Sequence, residues 1–194
     1  MSGGGRLQRL SPTQFNMNSE QAVEEITPPV AAKQLAPRKI QVTRLSSEMA
    51  IEGPVWARLT PYLQEALGHC HGELSESSIK ALVAADRQQI WVALAGEGAE
   101  LLGVIVSECT EYPCLRVLRI VLLQGISFRD WGAHARVALE IFAREQGCER
   151  LEASGRKGLA RLLAPLGFEV AYTTLIMEVR NHGKERRRQR LDVD

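Results

Sequence analysis

Between Ile90 and Leu123 three apolar runs follow one another with little more than a turn between them, and the hydrophobic period then changes from two to three-and-four. The runs are Ile90–Ala95, Leu101–Cys109 and Leu115–Leu123, and Gly96-Glu97-Gly98 joins the first two as a hairpin. A helix is predicted from about Phe128 to Gln146, with Trp131, Ala135, Ala138, Leu139 and Phe142 on one face and Gly147 as its stop. A short strand, Arg150–Ala153, comes next. A meander that passes into a β-α-β crossover builds a mixed sheet, because the two strands flanking a crossover run parallel.

The flanking sequence extends this plan. Ile40–Leu45 alternates apolar and polar residues, and Ser46 and Ser47 are candidate helix caps. Val55, Trp56, Leu59, Tyr62, Leu63, Ala66 and Leu67 fall at helical spacing and end at Gly68, and Leu74–Ser78 caps a shorter helix carrying Ile79, Leu82 and Val83. After the crossover a helix is predicted over Lys157–Ala164, then strand over Phe168–Thr173 and Leu175–Val179. The expected class is α/β: a mixed, mostly antiparallel central sheet with helices on both faces, spanning residues 40–179.

Residues 1–39 break this regularity. Gly3-Gly4-Gly5, Pro12, Pro28-Pro29 and Pro37 punctuate a stretch whose few apolar residues form no face. Such a segment buries too little to offset its ordering entropy, so it reads as an extended arm that orders against protein neighbours. Residues 180–194 form a basic tail, in which Lys184, Arg186, Arg187, Arg188 and Arg190 suit an acidic protein surface or nucleic acid. No aromatics interleave there, which argues against stacking on single strands.

The net charge of +1 excludes a nucleic-acid field spread over the whole molecule. No apolar run approaches the roughly 20 residues that span a bilayer, so no membrane is expected, and the N-terminus lacks the apolar core of a secretory signal. Cys70, Cys109, Cys114 and Cys148 read as reduced thiols, with Cys109 and Cys114 placed to face each other across a Tyr-Pro turn. His69-Cys70-His71 has no second ligand pair at metal-binding spacing, so no metal is expected.

The element order, closed by Leu163-Ala164-Pro165-Leu166-Gly167-Phe168, resembles the GNAT superfamily of N-acetyltransferases over about Ile40 to Val179. That resemblance implies an acetyl-CoA site where the loop Arg/Gln-x-x-Gly-x-Gly/Ala meets the start of the long helix, whose free N–H groups cradle the pyrophosphate. Here the segment reads Arg129-Asp130-Trp131-Gly132-Ala133-His134. His134 replaces the second small residue and is expected to crowd the backbone, while Asp130 adds negative charge. The resemblance also implies a tyrosine acid five residues before the final Phe and an asparagine twelve before it; these positions hold Leu163 and Arg156. The departures resemble a degenerate branch found among tailed-bacteriophage proteins, some of them virion components.

The resemblance thus implies a non-catalytic structural or accessory protein without cofactor, docked through residues 1–39 into a larger assembly. The assembly implied is a tailed-phage virion (portal, collar, tail or internal core), reached from the bacterial host cytoplasm. The alternative is a cytoplasmic acyl-CoA-dependent N-acyltransferase. In it Arg129, Gly132 and Ala133 hold the pyrophosphate of acetyl-CoA, Tyr172 is the acid and Glu108 the base, with Glu111 a second acidic candidate.

Overall fold

A computed structural model describes residues 39–97 and 99–177. The N-terminal arm up to residue 38, the end of the last expected strand and the basic tail therefore lie outside the described residues. Five strands form one sheet in the order β1-β2-β3-β4-β5: β1 (Ile40–Arg44), β2 (Gln89–Ala95), β3 (Glu100–Tyr112), β4 (Leu115–Gly125) and β5 (Arg150–Ala153). The first three pairings are antiparallel and the last is parallel, as the crossover requires. The mixed sheet with helices on both faces matches the expected class.

One face carries α1 (Ser47–Ile51), α2 (Gly53–Leu67) and α3 (Glu76–Ala84). The sequence reads α1 and α2 as one helix, but Pro54 in the first turn of α2 starts a new helix where its missing N–H costs nothing. Ser46 caps α1 by accepting from Met49 N, and Ser75 and Ser78 cap α3 reciprocally. Trp56, Leu59 and Leu63 of α2 and Ile79 and Val83 of α3 pack on Ile90, Val92, Val104, Val106 and Leu122. Glu76 ties the helices together: Trp56 Nε1 donates to its Oε1 (2.9 Å), as does Thr60 Oγ1 (3.2 Å), and Gln64 Nε2 donates to its Oε2 (3.1 Å). The Trp56 bond, then the Gln64 bond, hold the Glu76 carboxyl below its usual pKa.

The other face carries α4 (Phe128–Glu145), with α5 (Lys157–Leu163) and a 3₁₀ turn, Ala164–Leu166, after β5. Trp131, Ala135, Leu139 and Phe142 of α4 lie on Trp91, Ala93, Ile105, Leu118 and Ile120. Phe142 meets Trp91 edge to face at 5.3 Å, and the Arg44 guanidinium stands 4.8 Å over the Phe142 ring.

The close approach of α4 to the sheet depends on two glycines. Gly103 of β3 and Gly125 of β4 are paired across the ladder. Together they leave a hollow that the Trp131 indole occupies, fully buried, with its Nε1 donating to Ile126 O at 2.9 Å. A Cβ on Gly125 would stand 2.8 Å from Trp131 Cζ2, and one on Gly103 would collide with the same ring.

Past Leu166 the expectation is corrected. Among the described residues no strand forms between Phe168 and Met177, and Val170, Tyr172, Leu175, Ile176 and Met177 are exposed. Alternation and β-branching favour an extended backbone, but a strand also needs a ladder partner, and among the described residues none pairs with the segment.

Gly103→Ala should lower the unfolding free energy by about 1–3 kcal/mol through overpacking against Trp131. Gly53→Ala, at a helix start where an added Cβ meets nothing within 4 Å, should leave stability nearly unchanged. Urea denaturation of both variants checks the contrast.

Candidate functional site

The start of α4 and the wedge between β4 and β5 are where the sequence places a cofactor. Ser127, with φ of 50°, takes the left-handed conformation before α4, and no side chain caps the helix. Because α4 already begins at Phe128, the amides of Gly132, Ala133 and His134 lie beyond the first four and donate to carbonyls one turn back. They are not free to cradle a phosphate. The donors left over belong to the first turn, where Asp130 N already bonds Ser127 O at 2.8 Å.

Side-chain placement departs from the sequence reading here too. Arg129, Asp130, Ala133 and His134 are exposed, so His134 projects into solvent rather than crowding the turn. Gly132 is buried, and its lack of a Cβ serves the Phe128 ring, 2.8 Å from where that Cβ would be. Trp131 turns inward onto the glycine pair.

β4 pairs with β5 only from Val117–Arg150 to Ile120–Ala153. Beyond that point β4 runs on to Gly125 while β5 ends and the backbone leaves through Ser154, so the sheet opens as a wedge. Ile120, Leu123, Phe128, Leu163, Leu166 and Phe168 close in on it and leave a cavity of about 10 Å³. That is room for no more than one water molecule. An acyl-CoA therefore fits in part: the uncapped helix start and the exposed Arg129 suit a diphosphate. Its pantetheine arm would enter only with α5 and the turn after it displaced from β4.

One row before the wedge opens, on the strands' polar side, lies a charged cluster. Glu108 of β3, Arg119 of β4 and Glu152 of β5 are direct neighbours across the ladders. Arg119 Nη1 lies 3.5 Å from Glu108 Oε1 and Nη2 lies 3.9 Å from Glu152 Oε2. Tyr112 joins the same group: Arg119 Nη2 donates to its hydroxyl at 2.6 Å, and that hydroxyl donates to Glu152 Oε2 at 3.1 Å. Gln88 Nε2 donates to Glu108 Oε2 at 3.1 Å, which leaves the buried Gln88 Oε1 without a partner. An orphan acceptor costs about 1–3 kcal/mol; what is gained is a fixed Glu108 carboxylate. The cluster is partly open to solvent, with the Arg119 and Glu108 side chains 32% and 29% exposed, so each ion pair contributes at most about 1 kcal/mol.

Of the residues named from sequence, the structure puts Glu108 in this row. Glu111 pairs instead with Arg116 at 3.7 Å. Tyr172 is 68% exposed, and no hydrogen bond joins it to Glu108. Tyr112, Arg119 and Glu152 carry no sequence motif; only the register of three strands brings them together. Among the described residues no group of three potential metal ligands occurs, and no helix is long and apolar enough to cross a membrane.

The cysteines pair differently from expectation. Cys114 is exposed, whereas Cys109 faces the buried Cys148 at 3.9 Å between sulfurs, since β3 carries its side chain toward α4. Burial first, then the Cys148 thiol, push Cys109 up to about 11. Its neutral form is the one the fold favours. It therefore contributes stability below the ordinary thiol pKa and loses that contribution as pH rises toward 11. Iodoacetamide should accordingly label Cys114 quickly near pH 8 and Cys109 only as pH approaches 11, as read by peptide mass spectrometry; equal rates at pH 8 would contradict this.

No protein-family model matches the chain, and no curated protein matches it. Solved structures do. A probable acetyltransferase superposes with a TM-score of 0.56 at 16% identity, over 73% of this chain and 99% of that one. An aminoglycoside N-acetyltransferase in complex with CoA gives 0.53 at 17% identity, over 75% and 99%. A ribosomal-protein-alanine N-acetyltransferase from Brucella melitensis biovar Abortus 2308 gives 0.52 at 11% identity, over 73% and 100%. The fold is that of the GNAT acetyltransferases. At these identities the likeness establishes the fold alone, and nothing in it concerns a phage particle.

Proposed function

We propose that the chain is an acyl-CoA-dependent N-acyltransferase whose acceptor amine binds against the row Glu108–Arg119–Glu152. The observation that carries this reading is the position of the row: two carboxylates flank Arg119, partly open to solvent, one residue before β4 and β5 part. Acetyltransferases of the same fold, one of them in complex with CoA, add support.

In this reading the carboxylates attract a cationic amine, and Arg119, flanked by Tyr112, keeps them apart and oriented. Glu108, held by Gln88, accepts the proton that the amine must lose before it can attack. A bound acyl-CoA would supply the thioester carbonyl. Arg129 and the first-turn amides of α4 would meet its diphosphate, with Gly132 allowing Phe128 to pack beneath and Ala133 leaving the outer surface low. Tyr172 has no assigned part, since nothing in the fold brings it to the row.

A second reading keeps the fold as a packing module without turnover, docked by residues 1–39 into a larger assembly such as a virion. The filled wedge favours it, because opening the slot costs the burial of Leu163, Leu166 and Phe168. Calorimetric titration of the full chain with acetyl-CoA separates the two. Micromolar binding, with Glu108→Gln lowering turnover of a polyamine acceptor by about 10²–10⁴ while leaving that binding intact, is expected from the enzyme. No heat at millimolar acetyl-CoA would overturn the enzyme reading and leave the module.

A further inference from the structure

Where β1 gives way to α1, and α3 to β2, two turns stand beside the C-terminal end of α4 and leave space between them. Leu45 N closes the last rung on Ile90 O at 2.9 Å, and Arg87 N and Gln88 N fold back on Leu82 O at 2.9 Å and 3.2 Å. The result is a cavity of about 360 Å³, within the size range of small-molecule sites. It borders Phe142 and Gln146, at the opposite end of α4 from Ser127.

Val83, Ile90 and Phe142 give the cavity buried apolar walls, whereas Arg44 and Asp86, which also line it, are exposed and charged. Among the described residues neither forms an ion pair, with each other or with any other charge. The Arg44 guanidinium is held over the Phe142 ring. Ser47 Oγ donates to Asp86 Oδ1, which steadies the carboxylate and leaves Oδ2 open. Asp86 takes the left-handed conformation (φ 54°), which Asp and Asn tolerate better than most residues. Two glutamines beside these charges have bonding capacity to spare. Gln89 Oε1 accepts from Ser107 Oγ at 3.1 Å, so its Nε2 is left as a donor. Gln88 spends Nε2 on Glu108, and its buried Oε1 is left as an acceptor.

We infer that this cavity binds a small zwitterion, an α-amino acid, with its carboxylate on Arg44 and its ammonium on Asp86. An anion alone would meet Arg44 but also the Asp86 carboxylate and the negative end of the α3 dipole. A cation alone would meet Asp86 but also Arg44. A neutral apolar molecule would draw both charges out of water without partners. One ligand carrying both charges a few bonds apart answers both side chains at once, which they do not do for each other. Gln89 Nε2 adds a donor to the carboxylate, and Gln88 Oε1 gains an N–H from the ammonium. The ligand's side chain rests on Val83 and Ile90. The inference does not rest on the acyltransferase reading: the charged row crosses β3, β4 and β5, while the cavity opens beside β1 and β2.

The test is calorimetric titration of the full chain with the common L-amino acids, singly, up to about 10 mM, ten times a Kd of about 1 mM. At least one should bind at about 1 mM or tighter, and its amide shifts should centre on Ser46, Asp86 and Gln146. The matching amine without the carboxylate, and the acid without the amine, should each bind about tenfold more weakly or worse, because each leaves one charge unpaired. Asp86→Asn, which suits the same backbone conformation, and Arg44→Gln should each weaken binding to a similar degree; Glu152→Gln should not. No binding by any amino acid, or equal binding by either half-molecule, would overturn the inference, and both results come from the wild-type chain alone. Binding that survives both cavity variants, or that Glu152→Gln abolishes, overturns it as well, the last by placing the ligand in the charged row.

Discussion

The indole of Trp131 in the hollow left by Gly103 and Gly125 is the contact on which the crossover side of the molecule depends. A helix packs about 10 Å from a sheet when ordinary side chains intervene. Here two facing residues without a Cβ let the Cζ2 edge of the largest side chain reach the strands, so the first turn of α4 comes down close to β3 and β4. The Nε1 bond to Ile126 O then fixes how far along the sheet the helix begins. That placement has a chemical consequence, because it starts α4 early and draws the amides of Gly132 and Ala133 into the helical ladder. The device that anchors the helix is the one that shortens the phosphate cradle.

Most of the fold was legible because it is written in local periods. The meander, the amphipathic stripe of α4 and the short β5 were each read close to their observed bounds, and the mixed sheet followed from their order. Failures came where a non-local partner decides. Phe168–Thr173 has a strand's sequence but no strand beside it among the described residues. Cys109 was matched to the nearer Cys114, whereas the direction of β3's side chains sends it to Cys148. Arg129 and Gly132 match a motif by spacing, yet spacing does not say whether a residue lies before a helix or within it.

The charged row was the least legible part, for a definite reason. Glu108 could be named as an acidic residue near a strand end, but its partners depend on register. The ladder between β3 and β4 shifts at Val106/Ser107. That one-residue bulge decides whether Glu108 or Cys109 stands opposite Arg119, and a slip of one would send the carboxylate to the apolar face. Parallel pairing with β5 then adds Glu152, and Tyr112 enters from the far end of β3. No windowed pattern contains that information.

β5 is four residues long, and on its side of the wedge α5, the 3₁₀ turn and the segment beyond are all C-terminal to it. The antiparallel meander and the first three helices share no covalent loop with that part except through α4. The molecule thus has two tiers of mechanical strength. The tier bounded by β1 and β4 is laced by three long antiparallel ladders, while the other hangs from a single short parallel one. Fluctuations that loosen the second tier leave the first intact, so the wall of the wedge can breathe on a timescale faster than global unfolding.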